Sequence, residues 1–161
     1  MSIHEILCRL RELARAIPRN GCDWEDRPTF TSPASPEDIS TLESLVGFAL
    51  PADVRSFFSE ADSVIGMSIH NGYYIGGTLQ ISASLQRNDF PQHVDAEAVM
   101  PIATDGGGNS FLLGRSGKIW KWDCETKNAA YVIDTFGGFL NLVADDWNAY
   151  VFGTEGWHFL V

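Results

Sequence analysis

The apolar residues of this chain keep two different periods, and the change from one to the other falls near Gly66. Before it the spacing is helical. Ile3, Ile6, Leu7, Leu10, Leu13 and Ile17 line one face over residues 2–17, Ser2 and Glu5 form a capping-box pair, and Pro18 is the stop. Ser35-Pro36-Glu37-Asp38 opens a second helix with a cap, a proline in the first turn and two carboxylates facing the positive end of the dipole. Ile39, Leu42, Leu45 and Val46 supply its buried stripe, and Gly47 is its left-handed end. Leu50-Pro51 opens a third, short helix whose apolar face is Val54, Phe57 and Phe58.

After Gly66 the runs become short and extended. Residues 67–70 and 73–75 read as two strands around an Asn71-Gly72 turn, and further strands are predicted over 99–103, 110–113, 119–123 and 131–133. A short helix over 79–86 interrupts them, and turns fall at 105–109, 115–118 and 125–128. Thr135 then caps a last helix to about residue 150, with Phe136, Phe139, Leu140 and Val143 at helical spacing. Trp24, in the polar loop 19–34, is expected to fold back on the core, and the apolar tail 157–161 is expected to dock. Helices and strands that are segregated rather than alternating imply an α+β class. The expected architecture is a single domain, 1–161, whose mostly antiparallel sheet of about five or six strands packs against N-terminal and C-terminal helices.

Charge limits what such a domain binds. Eleven Lys plus Arg stand against 21 Asp plus Glu, a formal net charge of −10, so a phosphate backbone is repelled and direct nucleic-acid binding is not expected. A basic partner is favoured instead. Four of the cations, Arg9, Arg11, Arg15 and Arg19, belong to the first helix and its end, read as a solvated face. Between Pro28 and Gly114 the only basic side chains are Arg55 and Arg87, against ten carboxylates that include Asp62, Asp89, Asp95, Glu97 and Asp105. No run approaches the ~18 apolar residues of a membrane span. Glu5, Arg9 and Arg11 break up any signal-peptide core, and Cys8, Cys22 and Cys124 are odd in number and widely spaced, so a cytoplasmic, reduced protein is expected.

Motifs for chemistry are weak. Asp105-Gly106-Gly107-Gly108-Asn109 lacks the Lys-Ser or Lys-Thr of a phosphate loop and no helix follows it, so it reads as a tight turn. His4, His70, His93 and His158 are scattered without ligand spacing, which gives no metal site and no cofactor. Asp145-Asp146 and the Asp23, Glu25, Asp26 run read as solvated surface charge rather than paired acid–base carboxylates. Trp120 and Trp122, two apart in a strand, share a face and read as core. Tyr73 and Tyr74 point to opposite faces, so one is expected at the surface as an anchor.

The stretch PASPEDISTLESLVGFALPADVRSFFSEADS resembles the opening motif of the SUKH superfamily, which joins fungal cell-wall-assembly regulator domains to many bacterial relatives. The features that match are Ile39, the Leu42-Glu43 pair, Gly47, Leu50-Pro51 and Phe57. MPIATDGGGNSFLLGRSGKIWKWD is similar to the second block, with Asp105, Gly108 and Asn109 in its turn, and Thr135-Phe136 with Phe139-Leu140 resembles the closing helix. Ala61-Asp62-Ser63 stands where the family has an Asn-Gly ending after the third helix. The resemblance implies an α+β fold and, in bacteria, immunity by binding a toxin delivered by a neighbouring cell.

The expectation is therefore a non-enzymatic immunity protein that masks a cognate, basic, nuclease-type toxin; the alternative is a regulatory scaffold of the cell-wall-assembly type. Contact is expected through Asp62, Asp89, Asp95 and Glu97, with Tyr73 or Tyr74 as anchors. Glu43, Gly47, Leu50, Pro51, Asp105, Gly108 and Asn109 are expected to carry backbone geometry, Glu43 by hydrogen bonding a neighbouring loop or helix start. Monomer and homodimer are both compatible with the sequence.

Overall fold

Two capping boxes start the first two helices. Ser2 accepts from the Glu5 N–H while the Glu5 carboxylate accepts from the Ser2 N–H, and this pair heads α1 (Ile3–Ala16). Ser35 and Asp38 repeat the arrangement at the head of α2 (Pro36–Val46), which ends at Gly47 in the left-handed region. The computed structural model describes residues 1–17, 27–67 and 71–154. Trp24, the acidic run from Asp23 to Asp26 and the tail 157–161 lie outside the described residues, as do His70 and most of the predicted strand 67–70.

The remaining elements follow in chain order: β1 (Thr29–Phe30) before α2, then α3 (Ala52–Phe58), β2 (Ser63–Gly66), β3 (Tyr73–Gly76) and α4 (Thr78–Arg87). After them come β4 (His93–Val94), β5 (Glu97–Thr104), β6 (Ser110–Gly114), β7 (Ile119–Asp123), β8 (Asn128–Ile133) and α5 (Phe136–Phe152). The strands form one antiparallel sheet of eight in the order β1-β2-β3-β5-β6-β7-β8, with β4 paired to β5 beside that path. The α+β expectation holds, with more strands than the five or six expected. The two extra ones, β1 and β4, have 2 residues each, too short for any alternation to show in sequence. The first hairpin strand is also shifted. Gly66 pairs with Tyr73, so the strand lies over Ser63–Gly66, and Met67 is exposed beyond it.

One continuous core lies between the helices and one face of the sheet. α1 contributes Ile6, Leu7 and Leu10, α5 contributes Phe139, Leu140, Val143 and Trp147, and the sheet contributes Ile75, Met100, Phe111, Leu113 and Ile119. Aromatic contacts stitch the layers: Phe57 of α3 meets Phe136 edge-on at 5.3 Å, and Phe139 lies 4.9 Å from Phe111. A smaller cluster on the other face holds Val94, Val99, Leu112 and Trp120, with Trp122 packed against it. The shared face of the two indoles is thus a packing face. α2 departs from its expected stripe, since Leu42 is buried but Leu45 is 42% exposed.

Backbone geometry fixes the turn into α4. Gly76 has φ +79°, and a Cβ there would lie 2.4 Å from the Asp62 carbonyl oxygen and 2.7 Å from the Phe57 ring. Gly108 has φ +84° with open space around it. Gly76→Ala is therefore expected to destabilise by about 3 kcal/mol or more, from strain plus overpacking, and Gly108→Ala by about 1 kcal/mol from strain alone. Urea unfolding of the two variants checks the difference.

Candidate functional site

Glu43 sits where two helices must be joined. Its Oε1 accepts from the Leu50 N–H at 2.8 Å and pairs with the Arg55 guanidinium at 2.6 Å, so one carboxylate ties α2 to the approach and the body of α3. Leu50 is buried and Pro51 takes the N-cap position of α3, where no side-chain cap bond forms. The 105–109 turn is closed by its own carboxylate and tied to the β2–β3 connection, where the Gly106 N–H donates to the Asn71 carbonyl at 2.6 Å. The Asp105 carboxylate accepts from the N–H groups of Gly107 and Asn109 at 2.9 and 3.0 Å and from the Asn109 side-chain amide. Those N–H groups point inward at a carboxylate, so the loop offers no cradle for a phosphate. Among the described residues no group of three or more His, Cys, Asp or Glu side chains is placed to hold a metal ion.

The six residues expected to contact a partner separate into three groups. Tyr73 is fully buried, which corrects its reading as a surface anchor. Its hydroxyl donates to Asp146 Oδ2 at 2.8 Å, and the Asn71 amide donates to the same oxygen at 2.6 Å. Asp146 is itself buried, so the pair Asp145-Asp146 is not two solvated charges: Asp145 is exposed and pairs with Arg9 at 2.6 Å, while Asp146 turns inward. One helical step of about 100° is enough to divide adjacent side chains between solvent and core. Burial, and then the Asp146 carboxylate, push the Tyr73 phenol far above its ordinary pKa.

Asp62 and Glu97 form the second group, and both are half-buried and engaged with backbone. Asp62 Oδ1 accepts from the Thr78 N–H at 2.9 Å, which caps α4 from a distance, because Gly77 at the N-cap has no side chain to do so. Glu97 accepts from the Ser116 N–H and holds the β6–β7 turn against β5. Both carboxylates position a neighbouring backbone segment.

Asp89, Asp95 and Tyr74 remain: Asp89 follows the end of α4 and Tyr74 lines a hollow beside it, while Asp95 lines a separate hollow with Arg115 and Ser116. Asp89 is exposed beside Arg87, which it pairs at 2.7 Å, and Asp95 is exposed in the two-residue turn between β4 and β5. Between α2, α4 and the β4–β5 hairpin runs a groove of about 380 Å³, walled by Leu45, Val46, Leu85, Phe90, Pro91 and His93. A smaller hollow on the other side of α4 is lined by Tyr74, Gln80 and Pro101 and shares Ser84 and Phe90 with the groove. Tyr74 is half-buried, and its phenol is raised chiefly by that burial. Leu79 stands on α4 at 71% exposure. Sequence reasoning missed Leu45, Phe90 and His93 as walls of this groove.

A family model described as the SMI1 / KNR4 family (SUKH-1) matches residues 33–151, more than half of the chain. The chain belongs to this family. The match takes in Glu43, the 105–109 turn and the whole α4 face. No curated protein matches the chain. Among the described residues, no helix is long and apolar enough to cross a membrane.

The buried phenol sets a pH dependence. A folded-state pKa raised above the ordinary value of 10.0 means that the native state holds this proton more tightly than the unfolded chain does. Its contribution is complete below that ordinary value and falls as pH rises past it. Tyr73→Phe is expected to cost about 2 kcal/mol at neutral pH, since Asp146 loses a buried donor, and to flatten the alkaline loss of stability. Urea midpoints at neutral and alkaline pH check both effects.

Proposed function

We propose that this chain is a non-enzymatic immunity protein that neutralises a basic, nuclease-type toxin by covering its surface with the α4 face. The observation that carries the reading is the combination beside α4: exposed Leu45 on the wall of a groove of mixed polar and apolar lining, and exposed Asp89 between the groove residues Asn88 and Phe90. Apolar anchors rimmed by charge are the composition of a protein interface, where the centre supplies affinity and the rim steers encounter. A net charge of −10 supports a basic partner, and a nuclease must present a basic cleft to phosphates. Family membership supports immunity and cell-wall regulation alike. The net charge of −10 is what favours the first.

Capture of partners on the full chain from its native host, at low and high salt, tests the reading. A basic nuclease domain bound at low salt and weakened at high salt is the expected result; cell-wall or signalling proteins with no toxin would move the assignment to a regulatory scaffold. With the captured nuclease, Asp89→Lys combined with Asp95→Lys is expected to slow association about tenfold or more, while Leu45→Asp speeds dissociation. Unchanged kinetics in both variants would remove the α4 face from the interface.

A further inference from the structure

This acidic chain also carries a cleft of the opposite sign. Between the second half of α1 and the edge strand β1 lies a hollow of about 390 Å³ lined by Arg11, Arg15, Arg27, Pro28, Thr29 and Phe30. Arg9, Arg55 and Arg87 each reach a carboxylate, at 2.6, 2.6 and 2.7 Å. Among the described residues, Arg11, Arg15 and Arg27 make no ion pair and no side-chain hydrogen bond, although the chain has 21 carboxylates to offer its 11 cations.

Three physical features set this cleft apart from a solvated helix face. Arg11 and Arg15 are four apart on α1, where like charges share a face and repel, and Arg27 adds a third charge from the chain leading into β1. Arg11 is also preorganised: its guanidinium carbon sits 5.2 Å from the centre of the Phe30 ring, and Phe30 packs against the main core. All three cations are arginines, whose planar forks match the oxygen geometry of an oxyanion better than a lysine ammonium does.

We propose that the α1–β1 cleft binds a phosphate-bearing small molecule through Arg11, Arg15 and Arg27. Three guanidiniums exceed what a single carboxylate neutralises, whereas a phosphate or diphosphate group supplies two or more charges and at least three acceptor oxygens. A hollow of about 390 Å³ lies in the range of small-ligand sites. The cleft shares no lining residue with the α4 groove, so the proposal stands or falls apart from the toxin reading.

Isothermal titration of the full chain with inorganic phosphate, pyrophosphate, citrate and a short poly-glutamate peptide, at matched ionic strength, tests it. Saturable binding of pyrophosphate is expected, with inorganic phosphate weaker and citrate weaker still. Arg15→Gln and Arg27→Gln are each expected to lower pyrophosphate affinity about tenfold. Arg11→Lys keeps the charge but loses the fork and is expected to weaken binding as well. Arg115→Gln, on an exposed turn outside the cleft, is expected to leave it unchanged. Circular dichroism establishes that each variant is folded. Binding that does not saturate, equal losses in Arg115→Gln and the cleft variants, or a preference for citrate or the peptide over pyrophosphate would each overturn the proposal.

Discussion

Asp62 is the joint on which the α4 face depends. Its N–H donates to the Ser32 carbonyl at 3.0 Å, its carbonyl accepts from the Gly77 N–H at 2.7 Å, and its carboxylate accepts from the Thr78 N–H at 2.9 Å. Three segments distant in sequence therefore meet at one residue: the chain after β1, the exit from α3, and the start of α4. The meeting requires Gly76, because a side chain there would strike both the Asp62 carbonyl and Phe57. A charge-assisted bond to an otherwise orphaned helix N–H is stronger than a neutral one, so the acid is well suited to its place. The groove beside α4 exists because this joint sets where α4 starts and how far it stands from α2.

The same economy recurs through the molecule. Glu43 takes the Leu50 N–H, Asp53 takes the Gly137 N–H at the head of α5, Glu97 takes the Ser116 N–H, and Asp105 closes its own turn. Asp146 receives Tyr73 and Asn71 inside the core. Much of the acidic excess thus serves as internal acceptors for backbone and hydroxyl donors that would cost free energy if buried unpaired. A net charge counted along the chain overstates how much acid faces outward, and it hides a local reversal such as the arginine cleft. What remains exposed around the β4–β5 hairpin and the end of α4, Asp95 and Asp89, does not make a uniformly acidic surface.

Within the SMI1/KNR4 match, Glu43, Gly47 and Leu50 carry backbone geometry. Gly47 is left-handed at the end of α2, Leu50 is buried, and Glu43 reaches forward to α3, so the first motif is a helix–loop–helix brace. At Ala61-Asp62-Ser63, the acid supplies the cap that α4 otherwise lacks.

Elements whose rules are local were legible in the sequence. The boxes at Ser2 and Ser35, the Thr135 cap, the Gly47 stop and the turn at 105–109 depend on residues within four positions of one another, and period alone separates helices from strands. The structural role of Glu43 was also within reach, because its partners follow within a dozen residues. Tertiary structure alone decided the rest. Whether Tyr73 or Asp146 faces water depends on a contact across 73 positions, and the alternation that separates Tyr73 from Tyr74 does not say which face is covered. The two-residue strands β1 and β4 exist only because a neighbour's edge is offered to them. The exposure of Leu45 and Leu79, and the convergence of Arg27 with Arg11 and Arg15, follow from how helices dock on the sheet. Hydrophobic period specifies that a face exists; only the assembled layers determine what covers it.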